Sequence, residues 1–315
     1  MQLYSGKSKG SILVEALVAA FIAALFFPAV LALFKNTVDN SLRLYDMRAA
    51  MQRICAAEAV MKQPLFFCGY GMPSEETEYK KSFQNTSSEP FSWDGPVSVV
   101  AYNGKNNAQL KIAYAKREKC FTSVKTAFSS SGSIKFNVNL PSDKIKAVYS
   151  GEYAGVKNYV LFGGMSPKPV PLLVSKITGS SLTAGNTSPE NFTIASGEVL
   201  YLFCAMKLYA SDGKLYTYDY RTSGSQPRVD GIEDVRFILK NGGTKQLTVY
   251  ILAKGNRERR EREIKLLDFE EDVSNAELLK EWRGLDCKKA LYASKTVWSL
   301  TNCVDRENFQ PNTAD

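Results

Sequence analysis

The sequence predicts an α+β protein in which one long N-terminal helix packs on an antiparallel, β-rich globular domain. Three observations carry this. Residues 11 to 34, SILVEALVAAFIAALFFPAVLALF, are apolar apart from Glu15. The next stretch, Lys35 to Gln63, keeps a helical period but turns amphipathic. Beyond Pro64, short apolar or alternating runs recur between turn-rich segments, which is the pattern of strands.

The helix comes first in the chain. At ~1.5 Å per residue, Ile12–Phe34 is long enough to cross a hydrocarbon layer ~30 Å thick. It is too long for the apolar region of a secretory signal, roughly 7–15 residues, so a transmembrane anchor is expected. Glu15 lies near one end of the span, where a carboxylate either snorkels to the interface or pairs with a partner inside the membrane. Pro28 cannot donate a hydrogen bond to the Ala24 carbonyl, which predicts a kink or a loosened turn. In the amphipathic half, residues 35 to 63, Val38, Leu42, Tyr45 and Ala49 follow helical spacing, as do Leu44, Met47, Met51, Ile54 and Met61. Pro64 is read as the stop.

Strands are predicted at Val97–Tyr102, Leu110–Tyr114, Ile134–Val138, Tyr159–Phe162, Val170–Ile177, Val199–Leu208, Leu215–Tyr220, Val235–Leu239, Leu247–Leu252 and Val297–Leu300. Ser129–Gly132 and Gly179–Ser181 read as turns, and Asn241-Gly242-Gly243 as a hairpin turn. Ser274-Asn275-Ala276-Glu277 has the form of a capping box opening a short helix that stops near Gly284. The region 64–315 reads as one β-rich domain with a large insertion in its middle.

Composition excludes several functions. The chain has 315 residues, 44% apolar and 23% charged, and a net charge of +8. That is neither disordered nor a multi-span membrane protein, and the basic excess suits an anionic partner, a membrane surface or an ordinary soluble face alike. There is no histidine, so serine–histidine and cysteine–histidine catalysis and histidine-ligated metals are ruled out. The six cysteines at 55, 68, 120, 204, 287 and 303 contain no C-x-x-C pair. They fit disulfides in an oxidising compartment or buried thiols equally well. No cofactor and no metal site is predicted; the acids Asp219, Asp230, Glu233 and Asp234 lack a calcium-loop spacing.

Lys9-Gly10-Ser11-Ile12-Leu13-Val14-Glu15, followed by the apolar span, resembles the processing site of type IV prepilins and pseudopilins. The resemblance implies a leader of residues 1–10, cleavage by a prepilin peptidase between Gly10 and Ser11, and N-methylation of Ser11, which stands where the family usually has phenylalanine or methionine. It also implies that Glu15 pairs with the new amine of a neighbouring subunit, which offsets the cost of a buried acid and sets the axial stagger. Pro28 falls within the same assembly helix. Counting basic residues alone, Lys35, Arg43, Arg48 and Arg53 after the span weakly favour the opposite orientation; the cleavage signature outweighs them.

Two shorter fragments narrow the likeness. Cys68-Gly69-Tyr70-Gly71-Met72-Pro73 is similar to a turn of PilW-type minor pilins. Val229-Asp230-Gly231-Ile232-Glu233-Asp234-Val235-Arg236-Phe237 is similar to a segment shared with J-type pseudopilins of type II secretion. Many pilins close a C-terminal loop with a disulfide, which makes Cys287 and Cys303 the candidate pair and leaves Cys55, Cys68, Cys120 and Cys204 unassigned.

The function implied is a non-enzymatic minor pilin or pseudopilin, located in a tip or priming complex. It would be a single-pass protein of the bacterial inner membrane with its C-terminal domain in the periplasm, and extracellular when assembled in a pilus (fimbrium). Its partners would be other pilins or pseudopilins, the prepilin peptidase and the inner-membrane assembly platform. The alternative is a membrane-anchored periplasmic binding or adhesion domain that enters no filament. Nucleic acid is not expected as a partner: the run Arg257–Glu263 holds nearly balanced charge and reads as a solvated hairpin or subunit contact. Tyr216, Tyr218 and Tyr220 project from one strand face, as a binding row or, more often, as cross-strand packing.

Overall fold

The computed structural model describes residues 9–304 except 71, 74, 84–88, 105, 124, 129–131, 140–158, 163–169, 187–190, 223, 242–243 and 260–262. The chain divides into two units, residues 1–49 and 50–315. Helix α1 (Lys9–Phe67) supplies every described residue of the first and opens the second. The helical assignment runs without a break through Pro28 and past Pro64, so the expected stop at Gln63 is corrected to Phe67. Pro64 sits in the final turn, where its missing N–H forfeits only the bond to Val60.

The buried stripe of the second unit's helix also differs from the expected one. It is Ala50, Ile54, Ala57, Met61 and Leu65, spaced by four, three, four and four residues. Ile54 and Met61 were predicted, but Met51 is exposed, as are Leu42, Leu44 and Tyr45 in the first unit. The small side chains of Ala50 and Ala57 let the helix backbone come close to the layer beneath, a contact that a search for large apolar residues overlooks.

After α1 come α2 (Glu76–Ser82), β1 (Val97–Val100), β2 (Gln109–Phe121), β3 (Thr126–Phe128), β4 (Ser133–Asn137) and β5 (Tyr159–Phe162). Then follow β6 (Val170–Thr178), β7 (Ser181–Asn186), β8 (Phe192–Ile194), β9 (Val199–Ser211), β10 (Lys214–Asp219) and β11 (Gly224–Asp230). The last elements are β12 (Ile232–Lys240), β13 (Thr244–Glu258), β14 (Ile264–Leu266), α3 (Ala276–Arg283) and β15 (Lys289–Val304). All ten predicted runs are strands. The β-rich region is mostly antiparallel, and the α+β class holds.

One sheet has the order β1-β2-β9-β5-β6-β7-β4, with β10 on β9 and β11 on β10. Strand β9 is its hub: β2 lines one edge throughout, while β5 and β10 share the other edge. Its side chains alternate between two cores. Leu200, Leu202 and Cys204 join Leu172, Leu182 and Ala184. Tyr201, Phe203 and Ala205 face the opposite way, onto Tyr79 of α2 and the rings of Phe83, Phe91 and Trp93. The strands between 133 and 186 thus extend the same sheet.

A second sheet has the order β12-β13-β15-β14, antiparallel except for the parallel pair β14–β15. Leu247, Val249, Ile251 and Ala253 of β13 join the core that holds the α1 stripe. Tyr250 and Leu252 point to the other face, where Leu279 and Trp282 of α3 cover them. Burial on both faces is why this strand reads as a nearly continuous apolar run, interrupted only by the buried Thr248 between Leu247 and Leu252. The expected capping box of α3 does not form. Asn275 takes the cap position, and Ser274 turns its hydroxyl to Asp272 Oδ1 at 2.6 Å.

Candidate functional site

The residues singled out at the N-terminus share the start of α1. Gly10 and Ser11 lie in its first turn, and Glu15 follows one turn later. Residues 1–8 of the predicted leader lie outside the described residues. From Leu13 to Phe34 every large apolar side chain is 48–70% exposed, on all sides of the helix. Each of them, left facing water, forgoes a large part of the roughly 1.5–3 kcal/mol that full burial of such a side chain contributes. Among the described residues, this is the one helix long and apolar enough to cross a membrane. Glu15 is the sole ionisable residue between Ser11 and Phe34.

Within the second unit, the remainder of α1 is tied to the sheets at several levels. Arg53 donates to the Lys254 carbonyl and, at 2.9 Å, to Asn256 Oδ1. This crossing explains the glycine in Val229–Phe237: Gly231 has φ +82°, and a Cβ there would stand 2.6 Å from the Arg53 side chain. One turn on, Thr296 of β15 donates to Glu58. Farther along the same fragment, Asp234 Oδ2 accepts from Arg236 Nε at 2.6 Å and from the buried Trp282 Nε1 at 2.7 Å, which joins β12 to α3.

The end of α1 is held at the Cys68-Gly69-Tyr70 turn. Asn302 Nδ2 of β15 donates to the Phe66 carbonyl at 2.8 Å, satisfying one of the helix's last acceptors. Gly69 N donates to Ala113 O at 3.0 Å, and Ala115 N to Tyr70 O at 2.9 Å, so the turn is also bonded to β2. Gly69 has φ +74°, and a Cβ on it would lie 2.5 Å from Cys303 Sγ and 2.8 Å from the Asn302 carbonyl oxygen. Only glycine fits, for both conformation and space.

Here the predicted cysteine pair is corrected. Cys287 lies two residues before β15, a strand running from Lys289 to Val304, and Cys303 is the next-to-last residue of that strand. At ~3.3 Å per residue the 14 steps from Lys289 to Cys303 alone span roughly 45 Å, whereas a disulfide needs Cα atoms within roughly 7 Å. Cys303 Sγ instead lies 3.6 Å from Cys68 Sγ, both fully buried. Burial, then the Cys303 side chain, push the Cys68 thiol well up from its ordinary value. Cys287 packs at the edge of the α3 cluster. Cys55 is exposed and Cys204 buried, with a thiol pushed up to about 11 chiefly by burial. Cys120 is in β2, and its side chain lies outside the described residues.

A further cluster has no sequence signature, because four separate segments build it. Glu89 accepts from Tyr220 Oη at 2.8 Å, Lys111 Nζ at 3.1 Å, Trp93 Nε1 at 3.4 Å and Lys207 Nζ at 3.5 Å. Lys207 also lies 5.1 and 5.2 Å from the ring centroids of Tyr218 and Tyr220. Burial raises the Glu89 pKa, but the bonds from Tyr220 and Lys111, the charge of Lys207 and the Trp93 bond outweigh it and hold the carboxyl at about 2. With these donors the carboxylate is a clamp and not a free base. The row Tyr216–Tyr220 is likewise engaged: Tyr216 stacks on its cross-strand partner Tyr209, centroids 5.6 Å apart. Among the described residues, no group of three Cys, Asp or Glu side chains converges to hold a metal.

Comparison with protein-family models, with curated proteins and with solved structures finds no match for this chain.

Proposed function

We propose that this chain is a non-catalytic structural subunit of the pilin kind, a minor type IV pilin or pseudopilin that assembles through its N-terminal helix. The observation that carries the reading is the segment Leu13–Phe34: apolar on every side, exposed, and interrupted by one carboxylate near its start. Among the described residues this segment's large apolar side chains stay exposed, so their burial has to come from lipid or from other helices. The leader glycine at position 10 and the acid at position 15 give that helix the processing pattern described above. On this reading a prepilin peptidase cuts between Gly10 and Ser11. The mature chain is a single-pass inner-membrane protein with its sheets in the periplasm. It joins other pilins or pseudopilins through the assembly platform, in a type IV pilus or a type II secretion pseudopilus.

Intact mass tests it. Membrane-extracted protein from cells with and without a prepilin peptidase should differ by the mass of residues 1–10, less one methyl group where Ser11 is N-methylated, and Gly10→Leu should abolish the difference. A chain that begins at Met1 in both strains refutes the processing, and leaves a plain membrane-anchored domain.

A further inference from the structure

The geometry points to a disulfide between Cys68 and Cys303 that locks the end of α1 to the last strand of the domain. The two sulfurs are 3.6 Å apart with no side chain between them, although the residues are 235 positions apart in sequence. Both are fully buried in one core cluster, and Cys303 Sγ also lies 3.4 Å from the Cys68 carbonyl oxygen. The surroundings are built for this approach. Gly69 leaves empty the space that any side chain would take beside Cys303, and Asn302 fixes the strand against Phe66. The sulfurs need to close by roughly 1.5 Å to reach a bond length of ~2.05 Å.

Bond formation removes two protons and two electrons from the two thiols. The oxidant is the disulfide of an extracytoplasmic thiol–disulfide oxidoreductase, which leaves as a dithiol; in vitro, oxidised glutathione serves and leaves as two molecules of reduced glutathione. One cysteine attacks to form a mixed disulfide, and the other displaces the oxidant's sulfur. In the closed fold both thiols are out of reach of any oxidant, and burial keeps the Cys68 thiol protonated. Exchange therefore belongs to the stage before β15 docks on the turn. Once formed, the bond is sealed from reductants.

The cellular half of this inference rests on the proposed periplasmic location; the chemical half does not, and the experiment separates them. Full-length protein, extracted without reductant and alkylated in denaturant, is mapped by non-reducing peptide mass spectrometry. Spheroplasts are first treated with a membrane-impermeant maleimide to report whether the exposed Cys55 faces outward. The purified chain is also reduced, unfolded in detergent and refolded with oxidised glutathione. The expected result is a Cys68–Cys303 linked peptide in both preparations, with Cys287 alkylated, and loss of that linked peptide in Cys303→Ser. Labelled Cys55 with both Cys68 and Cys303 as free thiols overturns the bridge. So does refolding that yields folded protein with Cys68 joined to another cysteine. Unlabelled Cys55 with the bridge formed on refolding overturns the location alone and leaves the pairing supported.

Discussion

The turn at Gly69 offers a sharp test of how α1 is joined to the sheets. In Gly69→Ala the new Cβ meets two obstacles. A left-handed backbone costs an L-residue roughly 1–2 kcal/mol. The second obstacle is steric: 2.5 Å from Cys303 Sγ and 2.8 Å from the Asn302 carbonyl oxygen are closer than real Cβ contacts, and the latter is backbone that cannot swing aside. Overpacking of that kind costs about 1–3 kcal/mol, for a total of about 2–5. Gly197 supplies the control, since it has φ +81° with nothing within 4 Å of its Cβ site, so Gly197→Ala carries the backbone cost alone. All three tryptophans, Trp93, Trp282 and Trp298, lie in the second unit. Urea unfolding of the full-length chain in detergent and reducing buffer, followed by their fluorescence, therefore reports on this region. Gly69→Ala should lose about 1–3 kcal/mol more than Gly197→Ala, and Cys303→Ala should restore only part, because the Asn302 oxygen remains. Equal losses in the two glycine variants would refute the close-approach reasoning.

Two further outcomes follow from other contacts. Trp282→Phe keeps an aromatic ring in the α3 core but removes its bond to Asp234, and should cost about 1.5–3 kcal/mol in the same assay; combining it with Asp234→Ala, which removes the acceptor, should give less than the sum of the two singles, because both break that bond. Glu89 has a folded pKa of about 2 against an ordinary 4.5, so its contribution is complete above pH 4.5 and lost as pH falls toward 2. Glu89→Gln should lower stability at neutral pH and flatten that acid limb, and parallel acid curves for parent and variant would count against the clamp.

What could be read from the sequence follows from which forces are local. Runs buried on one or two faces announced themselves, so every predicted strand exists, though usually shorter than observed. Strand β11, GSQPRVD, went unseen because it is a mostly exposed edge strand that, among the described residues, pairs with β10 alone. Its Pro227 sits at a register shift opposite Tyr216, where a missing N–H is tolerated. The error over Cys287 and Cys303 has the same root. Only Val297–Leu300 of β15 looked like a strand, because its other residues include Ala, Ser, Asn and Lys, whose strand preference is weak. Read at full length, the strand would have excluded that pairing by reach. The Glu89 cluster had no local signal at all, since β2, β9, the end of β10 and the 89–94 loop meet only in the folded sheet.

Glu15 decides what surrounds the helix, because its two possible environments give different signs. In lipid, a carboxylate at the centre of a span costs roughly 2.5–3.5 kcal/mol on insertion scales and less near an end. Glu15→Ala should then insert as well as the parent, or better. In a bundle of like helices whose cut ends carry an amine, the acid neutralises a neighbour's charge, and removing it leaves that amine buried without its partner. On the proposed pilin reading, incorporation with partner subunits should therefore fall even though membrane level and protease resistance of the isolated subunit hold. Co-purification from cross-linked membranes measures the first quantity, and membrane fractionation with limited proteolysis the second. A fall in both assigns Glu15 to folding or insertion. Unchanged incorporation assigns it to the interface or to recognition by the processing enzymes, and removes the pairing between subunits from the account.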